Sequence, residues 1–333
     1  MRILLWHVHG SWTTSFVQGG HDYLLPVTPD RGPDGLGRAR TWEWPGNVVE
    51  VAPADLRDAD VDLVVLQRPH ELELAEKWLG RRPGGDLPAV YVEHNTPDRD
   101  VPQSRHPMAD QDAIPVAHVT GFNDLFWDCG SAPTTVIEHG IVDPGHHYTG
   151  ALPHAAVAVN DPVRRGRFVG ADLLEPLTTV APVDVFGMRV KLLPAIRGLT
   201  PYEDLPQERM HAELARRRVY VHTARWTSLG LSLLEAMHLG MPVVALGATE
   251  AAFAVPPSAG VVTTHRRELL AAVRELVADP EAAERMGRAA RQHALTHFGL
   301  ARFLEDWDVL LDATVAGGRA GRSARAEGCP SPA

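Results

Sequence analysis

The sequence predicts an α/β protein made of two Rossmann-like, doubly wound parallel-sheet domains facing a cleft. Three observations carry this. Short apolar runs alternate with amphipathic ones from the N-terminus onward, the rhythm of strands and helices that covers a parallel sheet on both faces. The rhythm stops at the Gly-, Pro- and His-rich stretch Pro144–Pro153 and then starts again. The length, 333 residues, suits about two domains of ordinary size.

In the first half, Arg2–Val8 and Asp22–Val27 read as strands with a short helix from about Ser11 to Gln18 between them. Val61–Leu66, Pro88–Val92, Val116–Thr120 and Thr134–Ile137 are further strands, and Glu71–Leu79 and Phe122–Cys129 are helices. In the second half, Ala155–Val159, Val183–Phe186, Val219–His222 and Val243–Leu246 read as strands. Helices are expected at Asp172–Val180, Pro206–Arg217, Ser228–Leu239 and Arg267–Ala278, the last from its stripe of Leu269, Leu270, Val273, Leu276 and Val277. Asp279-Pro280 places an N-cap and an N1 proline ahead of one more helix. The expected domains are 1–150, binding an acceptor, and 151–300, binding a nucleotide sugar. A helix at 301–315 returns to the first domain, and 316–333 form a disordered tail.

Composition is that of a soluble globular chain, 44% hydrophobic and 22% charged. No run of 18 apolar residues predicts a membrane span, and the N-terminus lacks the pattern of a secretory signal. The cysteines are Cys129 and Cys329, so a disulfide is not expected and a cytoplasmic location is. Residues 1–150 hold 11 basic and 22 acidic side chains, against 21 and 20 in the remainder. An acidic first half disfavours nucleic acid and anionic membrane. It reads as a solvated surface or, more sharply, as a face for a polycationic acceptor such as an amino sugar.

The most informative stretch runs from Thr227 to Ala245: Thr-Ser-Leu-Gly-Leu-Ser-Leu-Leu-Glu-Ala-Met-His-Leu-Gly-Met-Pro-Val-Val-Ala. It predicts a loop, an amphipathic helix and a buried strand. Ser228 and Gly230 fall where the helix begins, and helix N-termini suit phosphate groups. Glu235 lies within an apolar run, where a carboxylate needs a partner; a ligand hydroxyl and a solvent-facing or capping role are both open readings.

This stretch resembles the signature of family 4 retaining glycosyltransferases, which have the GT-B fold. The resemblance is specific over about 20 residues and implies that Glu235 holds the ribose hydroxyls of a nucleoside diphosphate sugar. The backbone of Leu229, Gly230 and Leu231 would then meet the diphosphate. The family's first glutamate, eight residues earlier, falls on Thr227, a departure that bears on donor identity. Val159–Leu174 contains a strand, a glycine loop with three arginines and a helix start. It is similar to the family segment that neutralises the leaving diphosphate. Arg164 takes the place of the family arginine, Val169 that of its lysine, and Arg167 stands two residues away as a substitute. Gly247-Ala248-Thr249-Glu250 resembles the turn that meets donor sugar and phosphate, with the backbone N–H groups of Ala248 and Thr249 as donors.

In the first half, Gly10 and Ser11 follow the first strand and open a helix, a diphosphate- or acceptor-facing turn. Glu93-His94-Asn95-Thr96 follows a strand, at the edge where doubly wound sheets bind ligands. The resemblance places His94 toward the reacting sugar. Ile137–Asp143 is similar to the family's domain-junction turn and is read as positioning. Asp58, Asp60 and Asp62 mimic an acidic metal motif but read as a polar loop, and the 17 histidines form no ligand set.

The expectation is therefore transfer of a sugar from a nucleoside diphosphate sugar to a hydroxyl of a small soluble acceptor, with retention. No metal or other cofactor is expected. A sugar-nucleotide epimerase of the same fold and a non-catalytic sugar-nucleotide-binding partner protein remain as alternatives, and oligomeric state is not predicted.

Overall fold

The computed structural model describes residues 1–98 and 101–327, and the side chains of the chain up to residue 318. It contains two compact units, Met1–Gly140 with the segment from Ala301 onward, and Ile141–Leu300.

The first unit is built on seven parallel strands: β1 Arg2–Leu5, β2 Asp22–Pro26, β3 Val48–Val51, β4 Leu63–Leu66, β5 Ala89–Glu93, β6 Val116–His118 and β7 Thr134–Val136. Their order is β3-β2-β1-β4-β5-β6-β7. The chain winds outward from β1 in one direction and from β4 in the other, so a topological switch point lies between these strands. Their carboxyl ends are where such sheets bind ligands. Strand β5 is buried along its whole length, whereas β3 and β7 at the sheet edges are partly exposed. The helix that begins at Leu300 packs into this unit: Phe303, Trp307, Leu311 and Val315 repeat on one face and are buried. The Trp307 ring lies 5.6 Å from Trp12 and 5.2 Å from Phe16.

The second unit has six parallel strands: β8 Leu152–Ala158, β9 Val183–Gly187, β10 Leu199–Glu203, β11 Arg217–His222, β12 Val243–Leu246 and β13 Gly260–Thr263, in the order β10-β9-β8-β11-β12-β13. Alternation along each strand feeds two cores. Ala155, Val157, Val219 and Val221 pack with Leu269, Val273 and Leu276 of the helix Arg266–Ala278. Ala156 and Tyr220 pack on the other face with Leu233, Leu234 and Met237 of the helix Leu231–Leu239. Asp279 accepts a hydrogen bond from the N–H of Ala282, the expected cap.

Three strands lie where none was expected: β3, β10 and β13, each at or next to solvent on a sheet edge. Edge strands need no continuous apolar run, and β10 even contains Pro201, which only an edge tolerates. The helix expected over Pro206–Arg217 ends at Leu214, and Arg217 opens β11. The cause is tertiary. Arg217 is 1% exposed, bonds Asp184 at 2.7 Å and Glu213 at 2.6 Å, and stacks over Tyr202. The helix expected from Ser228 starts at Leu231. The last helix runs to Glu327, beyond Val315 and into the segment expected to be disordered. Its Ala- and Arg-rich sequence favours helix, and Gly317 and Gly318 interrupt it without breaking it. Cys329 lies outside the described residues, while Cys129 is buried. Among the described residues no helix is long and apolar enough to cross a membrane.

Candidate functional site

In the second unit, the residues singled out by sequence converge on the carboxyl ends of β8, β11 and β12. The helix Leu231–Leu239 begins after the loop from β11, with Gly230 as its extended N-cap. Gly230 is needed for space: a Cβ there would lie 2.5 Å from Cε1 of His222. That imidazole is buried at the end of β11, and burial pushes its pKa down to about 4. A neutral ring thus packs directly beneath the helix N-terminus.

The loop after β12 is tied to the loop before this helix. Thr249 Oγ1 donates to the carbonyl of Thr227 at 2.6 Å, and the N–H of Glu250 donates to the carbonyl of Ser228 at 3.2 Å. Thr249 adopts φ +51°, a left-handed conformation that few non-glycine residues take, which aims its hydroxyl at Thr227. Thr227, Ser228, Thr249 and Glu250 therefore share one place. The hydroxyl of Thr227 itself is buried and has no hydrogen-bond partner. Of the two N–H groups expected as phosphate donors in this turn, that of Ala248 is already used, donating to Leu246 at 2.8 Å. Gly247 likewise donates to Thr263. Leu229 is 7% exposed and contributes its side chain to the core.

Glu235 lies in the helix's second turn, 3% exposed, among residues that are fully buried. Its carboxylate stands 3.5 Å from Nε2 of His211, which in turn meets Gln207 at 2.7 Å. The apolar face of the helix fixes where this carboxylate goes.

The arginine loop is held differently from its expected form. Arg164 and Arg167 are 71% and 74% exposed in their side chains. Arg164 pairs with Asp161, which also receives Arg189 at 3.3 Å; the Arg164 bond holds the Asp161 carboxyl below its ordinary pKa. Arg167 bonds Asp172 at 2.8 Å. The residue that sequence reasoning missed is Arg225, which grips Asp172 through both Nη atoms at 2.6 and 3.0 Å and caps the carbonyl of Arg167. Burial alone would raise the Asp172 pKa, but the Arg225 bond and the two arginine charges outweigh it and keep it low. Arg225 stands two residues before Thr227, and only its pairing partner, 53 residues away, shows what it does. The same loop is pinned by Thr223 Oγ1 to the carbonyl of Val169 at 2.7 Å, and Val169 is buried. Gly170 permits this approach: φ is +76°, and a Cβ would fall 2.1 Å from the Thr223 carbonyl oxygen.

The first unit gathers a different set at the carboxyl ends of β1, β4 and β5. Gly10 and Ser11 open the helix Gly10–Phe16, just after His9. The His9 ring packs against His94 at a tilt of 35° with centroids 4.0 Å apart, and Trp12 meets His94 edge-on at 5.0 Å. His94 is 8% exposed, and its Nε2 lies 3.0 Å from Oε1 of Gln67. Burial, reinforced by the neighbouring His9 and His139, holds His94 neutral. Glu93 turns inward: it bonds His106 at 2.9 Å and the N–H of Asn95 at 2.6 Å. Ile141 and Asp143, at the turn read as positioning, bond Phe298 and Arg291. Among the described residues no group of three His, Cys, Asp or Glu side chains is placed to hold a metal ion.

The fold class follows: two doubly wound α/β units on parallel sheets of seven and six strands, the fold of the GT-B structures to which the chain is similar. Residues 199–293, within the second unit, match the family model for glycosyl transferases group 1. Sucrose-phosphate synthase from Thermosynechococcus elongatus superposes with a TM-score of 0.72 at 13% identity, covering 95% of this chain and 100% of that one. HepE of Anabaena in complex with UDP gives 0.69 at 14%, covering 94% and 100%. AviGT4, a glycosyltransferase involved in avilamycin A biosynthesis, gives 0.60 at 15%, covering 95% and 98%. No curated protein sequence matches the chain significantly.

Proposed function

We propose that the protein moves a sugar from a nucleoside diphosphate sugar to a hydroxyl of a small soluble acceptor, with retention at the anomeric carbon and without a metal ion. The observation that carries this reading is the joining of the 227–231 and 247–250 loops at a helix N-terminus, one helical stretch from the buried carboxylate of Glu235. Phosphate at the helix start and ribose hydroxyls at Glu235 match that chemistry. The resemblance to family 4 supplies the retention and the role of each residue. In this reading Ser228 and the backbone of Leu229, Gly230 and Leu231 meet the diphosphate. Thr227, Gly247, Ala248, Thr249 and Glu250 face the donor sugar. Arg164 and Arg167 stabilise charge on the departing diphosphate. Gly10, Ser11 and His94 belong to the same reaction from the first unit. The solved complex of HepE with UDP makes UDP the first nucleotide to try. We further propose that the protein works in the cytoplasm and needs no cofactor beyond its donor.

A thermal-shift panel of nucleotide sugars, followed by incubation of the stabilising donor with and without candidate acceptors, tests the proposal. A glycosylated acceptor with the donor's anomeric configuration supports it. Epimerised sugar from donor alone, or tight donor binding with no transfer to any acceptor, overturns it.

A further inference from the structure

Gln67, immediately after β4, is 2% exposed and uses every polar atom it has. Its backbone N–H donates to Glu71 at 2.6 Å, and its carbonyl accepts from the Tyr91 hydroxyl at 3.4 Å. Its side-chain Nε2 donates to the carbonyl of Trp6 at 2.7 Å. A carbonyl only accepts, so the amide nitrogen must face Trp6 and the amide oxygen must face His94. That oxygen also only accepts. The imidazole nitrogen 3.0 Å from it, Nε2 of His94, therefore carries the proton.

We propose that Gln67 is a positioning residue that locks His94 as the Nε2–H tautomer, leaving Nδ1 as a hydrogen-bond acceptor for a hydroxyl of the acceptor substrate. The hydroxyl assignment rests on the glycosyl-transfer reading; the tautomer does not. The ring is packed against His9 at 4.0 Å and edge-on against Trp12 at 5.0 Å, which holds Nε2 toward Gln67. Being buried, it stays neutral, so no proton appears at Nδ1. A lone pair there repels phosphate oxygens and attracts an O–H donor. This separates the work of His94 from that of the arginines in the other unit.

The test is long-range ¹H–¹⁵N NMR on the full chain labelled at histidine, with His94 identified by the signals lost in His94→Gln. The expected result is a protonated Nε2 and an unprotonated Nδ1 in the wild type without any ligand. Gln67→Leu should abolish that preference and lower kcat at least tenfold while the KM for the donor changes less than threefold. A wild-type His94 protonated at Nδ1 overturns the proposal, and this spectrum decides it even if Gln67→Leu fails to fold. A lost tautomer with wild-type kcat overturns the hydroxyl role. If no donor or acceptor is ever turned over while the tautomer is as expected, the glycosyl-transfer reading and the hydroxyl role fall and the positioning by Gln67 stands.

Discussion

Replacing Glu235 tests the donor site most directly. The carboxylate is 3% exposed and set by a helix whose neighbouring residues are core. Two ribose hydroxyls donating to one carboxylate make two charge-assisted hydrogen bonds, each contributing about 1.5–3 kcal/mol. Glu235→Gln keeps the shape and converts them to neutral bonds, a loss of about 1 kcal/mol each and roughly 30-fold in affinity. Glu235→Ala removes both, about 3 kcal/mol at the low end and on the order of 150-fold. Calorimetric titration with the nucleoside diphosphate that most stabilises the wild type measures this. Circular dichroism melts must accompany it, because the same carboxylate stands 3.5 Å from His211. Folded variants that bind within twofold of the wild type would refute the ribose assignment. A ranking with Gln weaker than Ala would refute the charge-assisted account of it.

Other outcomes follow from the same loops. Arg164→Ala should reduce turnover about a hundredfold, the scale of losing one donor to a developing anion, with an unchanged melting temperature because the side chain is 71% exposed; wild-type turnover would remove its leaving-group role. Gly170→Ala and Gly166→Ala both place a Cβ at positive φ, but only Gly170 meets a backbone oxygen, whereas Gly166 faces open space. Thermal melts should show Gly166→Ala losing about 1 kcal/mol and Gly170→Ala at least about twice that, and equal losses would contradict the close approach to Thr223. For His222 the folded pKa of about 4 lies below its unfolded value, so the unfolded chain binds more protons between those limits. Its neutral burial contributes fully above about pH 6.5 and weakens as pH falls toward 4, by up to about 1.4 kcal/mol per pH unit. The stability gap between wild type and His222→Leu, measured by urea unfolding, should therefore narrow from pH 8 to pH 5; a constant gap would show that His222 is not buried neutral.

The sequence by itself determined the central strands, the two-sheet fold and the Asp279 cap, because each depends on local pattern. Buried strands such as β4, β5 and β12 must be continuous apolar runs, and a capping Asp-Pro pair acts within a few residues. It also marked Glu235, since a carboxylate amid core positions stands out in a string of letters. Only the tertiary structure decided the rest. Edge strands β3, β10 and β13 are held by a neighbour on one side and carry little apolar signal. Arg217 left the helix pattern because Asp184, 33 residues away, draws it into the sheet. Arg225 became visible only through Asp172, Thr249 through its bond to Thr227, and Gln67 through the Trp6 carbonyl that orients its amide. Hydrogen bonds and ion pairs between residues far apart in the chain leave no period in the sequence, so the placement of each side chain's partners had to come from the folded structure.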